Sequence, residues 1–248
     1  MLGFPMANGP AALGRTRLRI DRRNWVAGVN SDSRSNHGNT TPDASVVCVV
    51  DDDTSVRDAL SSLFRSVGLH VETFTSAQEL ISAKLPAVSS CLVLDIRMPG
   101  LSGLDLQAEL GLAGVHIPII FVTGHGDIPM SVKAMKAGAI DFLTKPFRDQ
   151  DMLDAVKAAL ERDRNRRRDQ DAMAIKQSLF ASLTPRERQV MALVTSGLMN
   201  KQIAGEIGLS EITVKIHRGS LMKKMKATSL AELVRIAESL GIRASSRR

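Results

Sequence analysis

The 248 residues suffice for two ordinary domains, and a hydrophobic content of 44% lets each bury a core. No apolar run approaches the roughly 20 residues of a membrane span, and Asn8, Gly9, Pro10 and Arg15 break any signal-peptide core, so a cytoplasmic protein without membrane association is expected. Of the net charge of +7, residues 46–147 carry −4 (7 Lys+Arg against 11 Asp+Glu) and residues 181–248 carry +7 (12 against 5), which makes the second half the candidate for nucleic acid.

Residues 1–45 hold no sustained hydrophobic period and are rich in Gly, Asn, Ser and Arg, so a disordered N-terminal extension is expected there. From Val46 the pattern alternates. The run 46–50 precedes Val56, Leu60, Leu63, Phe64 and Val67 at helical spacing, closed by Gly68. A short strand at 70–74 leads to a helix start at Ser76. The run 91–95 precedes Leu104, Leu106 and Leu110; 117–122 precedes a helix over 128–137; 139–143 precedes a helix starting near 149. Five strand–helix units predict an α/β domain over residues 46–165, a doubly wound five-stranded parallel sheet with right-handed crossovers. Cys48 and Cys91 both fall in predicted buried strands, which fits reduced thiols better than a disulfide scaffold.

No Gly or Pro occurs between Phe147 and Thr184, so the last helix of this domain is expected to run on as a helical linker over 166–181. Residues 161–171 are polar nearly all round, and Asp163 and Arg167 are placed for a solvated i,i+4 pair. An all-α domain follows over 182–248. Thr184-Pro185-Arg186-Glu187 is a capping box with Pro at the first helical position. Asn200 opens a second helix that Gly208 stops, Ser210 opens a third to about Lys226, and Ser229 with Glu232 forms a further capping box. Two helices joined by the tight Gly208-Leu209 turn have the helix-turn-helix form.

Each apolar run of the first domain delivers polar residues at its carboxyl end: Asp51-Asp52-Asp53, Asp95, Thr123-Gly124 and Lys145-Pro146. In an open α/β sheet that edge is where ligands bind. Mg²⁺ takes oxygen ligands in octahedral geometry and keeps several waters. Asp52 and Asp95 suit it directly, with a backbone carbonyl near Arg97 as a third ligand and Asp51 acting through a metal-bound water. The Lys145 ammonium and the Thr123 hydroxyl suit two phosphoryl oxygens. Asp53 is placed as a helix cap.

Residues 46–165, with VVDDD, LVLDIRMPGLSGLDL, IIFVTGHGD and AGAIDFLTKPF, resemble a two-component response-regulator receiver domain of the CheY-like fold. Residues 184–241 resemble a LuxR-type helix-turn-helix output domain, and the combination resembles the FixJ/NarL-type transcriptional regulators. The resemblance implies that Asp95 accepts a phosphoryl group from a sensor histidine kinase, that Asp51, Asp52, Asp95 and the Arg97 carbonyl hold Mg²⁺, and that Lys145 binds the phosphoryl. It implies a switch pair, Thr123 and Phe142, a cis Lys145-Pro146 bond, tuning of dephosphorylation by Arg97 and His125, and a small Gly124 that leaves the acceptor open. Phosphorylation is expected to promote a homodimer, with Met130, Val132 and Ile140 as contacts, and binding to double-stranded promoter DNA, with RNA polymerase as a further partner. Thr213, Lys215, Ile216 and Arg218 are the expected base or phosphate contacts of the recognition helix, with His217, Lys223 and Lys224 near the backbone. Gly219 departs from relatives that carry a longer side chain there, and costs ~1 kcal/mol relative to Ala inside a helix. An RNA-binding antiterminator is disfavoured by the turn at Gly208. A receiver-linked enzyme is disfavoured because residues 181–248 offer no acid–base constellation, so no dedicated enzymatic activity is expected.

Overall fold

A computed structural model describes residues 45–83, 87–124 and 128–242. The expected N-terminal extension lies outside the described residues except for Ser45, as does His125. The chain divides into two compact units between Arg164 and Asn165.

The first unit alternates β1 (Ser45–Val50), α1 (Thr54–Ser66), β2 (His70–Phe74), α2 (Ala77–Ser82), β3 (Ser89–Asp95), α3 (Gly103–Leu112), β4 (Ile119–Thr123), α4 (Ile128–Lys136) and β5 (Asp141–Thr144), then enters α5 (Asp149–Ala181). All four strand pairings are parallel, in the order β2-β1-β3-β4-β5. The doubly wound five-stranded sheet is therefore as expected. The fifth strand begins at Asp141 rather than 139, because Ala139 and Ile140 lead into the ladder ahead of its register with β4.

Strand residues alternate between two cores, as a period of two requires. Cys48, Val50, Leu92, Leu94 and Phe121 face Leu80 of α2, Leu106 and Leu110 of α3 and Ala134 of α4. Val47, Val49, Cys91, Val93, Ile120 and Val122 face Leu60 and Phe64 of α1 and Met152, Val156 and Ala159 of α5. Both faces are covered, which is why these strands read as continuous apolar runs. Full burial of one such side chain is worth about 1.5–3 kcal/mol. The two cysteines are buried and free, on opposite faces, and burial pushes the Cys48 thiol up to about 12.

Helix α5 is continuous from Asp149 to Ala181. Its apolar stripe, Met152, Val156 and Leu160, packs on the sheet. Asp163 corrects the sequence reading: it is 1% exposed, and its Oδ2 accepts from the Ser90 N–H at 3.1 Å, at the start of β3. A buried carboxylate must be hydrogen-bonded to be tolerated, so Asp163 ties the helix to the sheet.

The second unit contains α6 (Pro185–Thr195), α7 (Asn200–Ile207), α8 (Glu211–Lys224) and α9 (Leu230–Ser239). Val190, Met191, Val194, Ile203, Val214, Leu221 and Leu233 form its core. Gly208 adopts φ 67, the left-handed conformation that turns α7 into α8 without a Cβ clash. Thr184 and Glu187 form the expected capping box. The box expected at Ser229 is different: Glu232 passes over the cap residue and accepts from the Thr228 N–H and hydroxyl at 2.9 and 2.7 Å. Helix α8 ends two residues before Lys226, which itself takes φ 53.

Candidate functional site

The carboxyl edge of the sheet brings together the residues that the apolar runs deliver. The chain leaves β1 toward β2 on one side and returns to β3 on the other, so a crevice opens at the carboxyl ends of β1 and β3. Asp51 and Asp52 follow β1, and Asp95 ends β3. One oxygen from each of the three lies within 4.8 Å of the others. Asp51 and Asp95 are buried and Asp52 is exposed, so the cluster opens to solvent on one side. Such an all-carboxylate set fits a hard cation such as Mg²⁺.

Lys145 closes the pocket from β5. Its Nζ lies 2.6 Å from Asp51 Oδ2 and 3.8 Å from Asp95 Oδ2. The Lys145 N–H also donates to the Thr123 carbonyl at 2.8 Å, which fixes the ends of β4 and β5 together. The Lys145-Pro146 bond is cis. Thr123 is fully buried, and Phe142 is half-buried against the core that α4 shares. Burial pushes the Asp95 carboxyl above the usual carboxylate range, the Lys145 ammonium opposes that shift, and the Asp51 charge adds to it. The Arg97 N–H donates to Asp95 Oδ1 at 3.4 Å, which places Arg97's backbone beside that carboxylate. A Cβ on Gly124 would meet open space.

Two supporting residues were not singled out by the sequence. The Arg57 guanidinium donates to the Asp51 carbonyl at 2.7 Å and to Thr54 Oγ1 at 2.8 Å, bracing the loop that carries Asp51 and Asp52. Asp53, as expected, caps α1 by accepting from the Ser55 N–H at 2.8 Å. Gly103 starts α3 against the end of β3, where a Cβ would collide with the Asp95 carbonyl and crowd the Ile96 Cα. Only glycine lets α3 approach the end of β3 this closely.

In the second unit, α8 buries Val214 and Leu221 and turns Ile212, Lys215, Ile216, Gly219 and Lys223 outward. Residues 47–157 match the response regulator receiver domain, and residues 181–237 match the bacterial regulatory proteins of the luxR family. Nodulation protein W of Bradyrhizobium diazoefficiens is 60% identical over 215 residues, 86% of this chain and 95% of that protein. The transcriptional regulatory protein FixJ of Azorhizobium caulinodans is 46% identical over 201 residues, 81% of this chain and 95% of that one. Among solved structures, the response regulator StyR is 51% identical with a TM-score of 0.74, covering 79% of this chain and 98% of that one.

The chain belongs to the response regulators. It joins a receiver domain to a LuxR-type DNA-binding output domain, which implies regulation of transcription.

Within the output domain the expected DNA contacts divide. Lys215, Ile216 and Lys223 are exposed on α8. Thr213 is partly committed to the helix start, its hydroxyl 2.8 Å from the Ser210 hydroxyl that caps α8. His217 is half-buried, and Arg218 donates to Asn200 Oδ1 at 3.1 Å, linking α8 to the start of α7. Lys224, grouped with Lys223 from sequence, is partly exposed and also pairs within the domain: its Nζ donates to Glu187 Oε2 at 2.8 Å. Glu187 is 3% exposed and also accepts from the Ser220 hydroxyl at 2.6 Å and the Thr184 N–H at 2.8 Å. Burial alone would raise this carboxyl, but the Lys224, Ser220 and Thr184 hydrogen bonds outweigh it and hold it at about 2. The Glu187 carboxylate of the capping box thus also locks α8 to α6.

Proposed function

We propose that this response regulator accepts a phosphoryl group on Asp95 from a sensor histidine kinase and, so modified, dimerises and binds promoter DNA in the cytoplasm. The observation that carries this reading is the meeting of Asp51, Asp52, Asp95 and Lys145 at one sheet edge. An Asp95 carboxylate oxygen attacks the phosphorus of the kinase phosphohistidine. An O–P bond forms, the N–P bond breaks, and the imidazole nitrogen leaves with the electron pair and takes up a proton. Mg²⁺, held by Asp51, Asp52, Asp95 and the Arg97 carbonyl, would supply neutralisation of the phosphoryl charge. Lys145 moves its ammonium from Asp51 to a phosphoryl oxygen, and the Thr123 hydroxyl donates to another.

The kinase docks beside the pocket. A cavity of about 690 Å³ lies between α1 and the loop after β5, lined by Val56, Leu60, Leu63, Pro146, Phe147 and Lys145. Lys145 belongs to both the cavity and the acid cluster, so a partner helix seated there reaches the acceptor. Among the described residues, no helix is long and apolar enough to cross a membrane. The chain acts as a regulator and not as a dedicated enzyme, with RNA polymerase as the target of the DNA-bound dimer.

Movement of Thr123 toward the phosphoryl frees space for Phe142 to turn inward, which reshapes the α4–β5 surface. Of the dimer contacts expected from sequence, Met130 and Ile140 are half-buried against the two receiver cores and Val132 is exposed. Ile128, Val132 and Met135 are the exposed apolar residues of α4, at i, i+4 and i+7. We expect beryllofluoride with Mg²⁺ to convert the full chain from monomer to dimer at micromolar concentration in sedimentation velocity. Val132→Glu should remain monomeric while still accepting phosphoryl at Asp95. A wild type that stays monomeric, or a Val132→Glu variant that dimerises normally, would contradict this part of the reading.

A further inference from the structure

Ile212 and Ile216 are 75% and 66% exposed on α8. They stand one turn apart, and Gly219 and Lys223 continue the row. At 100° per residue these four positions fall within roughly 60° of one another around the helix axis. The row is therefore apolar, apolar, empty and basic, opposite the buried Val214 and Leu221.

Gly219 has no role that the fold explains. It lies inside a 14-residue helix, and a Cβ added to it would meet nothing within 4 Å. It is neither a turn nor a close approach within the chain. Glycine is the poorest helix former after proline. The missing side chain therefore serves a surface that meets α8 from outside. Lys215 flanks the row, Lys223 ends it, and residues 181–248 carry +7, so that surface is a polyanion. The major groove of DNA admits a helix, and its one apolar feature is the C5-methyl of thymine.

We propose that the row reads thymine methyl groups: Ile212 and Ile216 each pack on a C5-methyl, and Gly219 is where the groove approaches the helix backbone. The inference rests on the DNA-binding reading of the output domain and names what that surface recognises. One helical turn separates the two isoleucines by about 6 Å along the axis, close to two base-pair steps of about 3.4 Å. Each half-site accordingly carries thymines within about two base pairs of each other.

The test selects duplexes from a random-sequence library with the full chain, with and without beryllofluoride and Mg²⁺. Each thymine of the selected duplex is then replaced by deoxyuridine, which removes only the methyl. At one or two positions per half-site the wild type should lose roughly threefold to tenfold in affinity. Ile212→Ala and Ile216→Ala should lose a similar factor and each stop responding to its own deoxyuridine. Gly219→Ala should melt at a higher temperature than wild type yet bind the selected duplex at least about fivefold more weakly. Insensitivity to every deoxyuridine would overturn the methyl reading while leaving DNA binding intact. A Gly219→Ala variant that binds as tightly as wild type, or melts lower, would overturn the role given to Gly219. Failure to enrich any duplex would overturn the DNA-binding reading and this inference with it.

Discussion

Replacing Glu187 by Ala should lower the stability of the output domain by about 2–4 kcal/mol. The change removes the returning half of the capping box, worth about 1 kcal/mol, and the charge-assisted bonds to Lys224 and Ser220, worth about 1.5–3 kcal/mol. Lys224 remains partly exposed and regains water, which keeps the loss from growing further. For a domain of this size the thermal midpoint should fall by roughly 8–30 °C. Glu187→Gln keeps the shape and part of the hydrogen bonding, so it should fall between the two. The same network sets an acid limit. The folded-state value of about 2 lies below the ordinary 4.5. The stabilisation is thus complete above about pH 4.5 and is lost as pH falls toward 2. Calorimetry across pH 2 to 7 should show wild type losing its advantage over Glu187→Ala in that window. A variant that melts with wild type at neutral pH, or a difference that persists unchanged at pH 2, would contradict the assignment.

Gly103→Ala should damage the receiver more than its size suggests. The new Cβ meets the backbone of Asp95 and Ile96, which cannot swing aside as a side chain could. Forcing α3 away from β3 costs about 1–3 kcal/mol. It also displaces the Asp95 carboxylate, the proposed acceptor, and small misplacements at a reacting group cost up to roughly a hundredfold in rate. Gly111→Ala, in the same helix, is the control: a Cβ there meets open space, so the variant should gain up to about 1 kcal/mol. Labelling rates with acetyl phosphate and melting curves of both variants make the comparison. Equal behaviour of the two would remove the role assigned to Gly103.

The sheet and its acidic edge were legible because they rest on local signals. Val46 to Val50 and Cys91 to Leu94 are continuous apolar runs, which a strand buried on both faces requires, and each ends on an aspartate. The helix starts at Ser76, Thr184 and Ser210 were legible because a capping hydroxyl and its N–H partner lie three residues apart. What escaped depends on distance along the chain. Asp163 sits in a charge run that reads as solvated, yet its partner Ser90 is 73 residues away. Glu187 was legible as a cap, but Ser220 and Lys224 lie 33 and 37 residues further on, and nothing local pairs them. The Lys224 ion pair escaped for the same reason, since adjacent lysines look alike until the fold gives one of them a partner. Met130 and Ile140 are half-buried, and short apolar stretches do not reveal which part of such a residue packs. Gly103 carried no signal beyond being a glycine at a helix start, where many residues serve equally well.

Phosphoryl acceptance at Asp95 is measured most directly by intact-mass analysis of the full chain incubated with acetyl phosphate and Mg²⁺. The wild type should gain one phosphoryl group, show it at Asp95 on peptide mapping, and gain none when the divalent ion is chelated before the reaction begins. Asp95→Asn should gain none. Labelling of Asp95→Asn to the same extent as wild type would contradict the assignment, and with it the switch, the dimer and the control of DNA binding that follow from it.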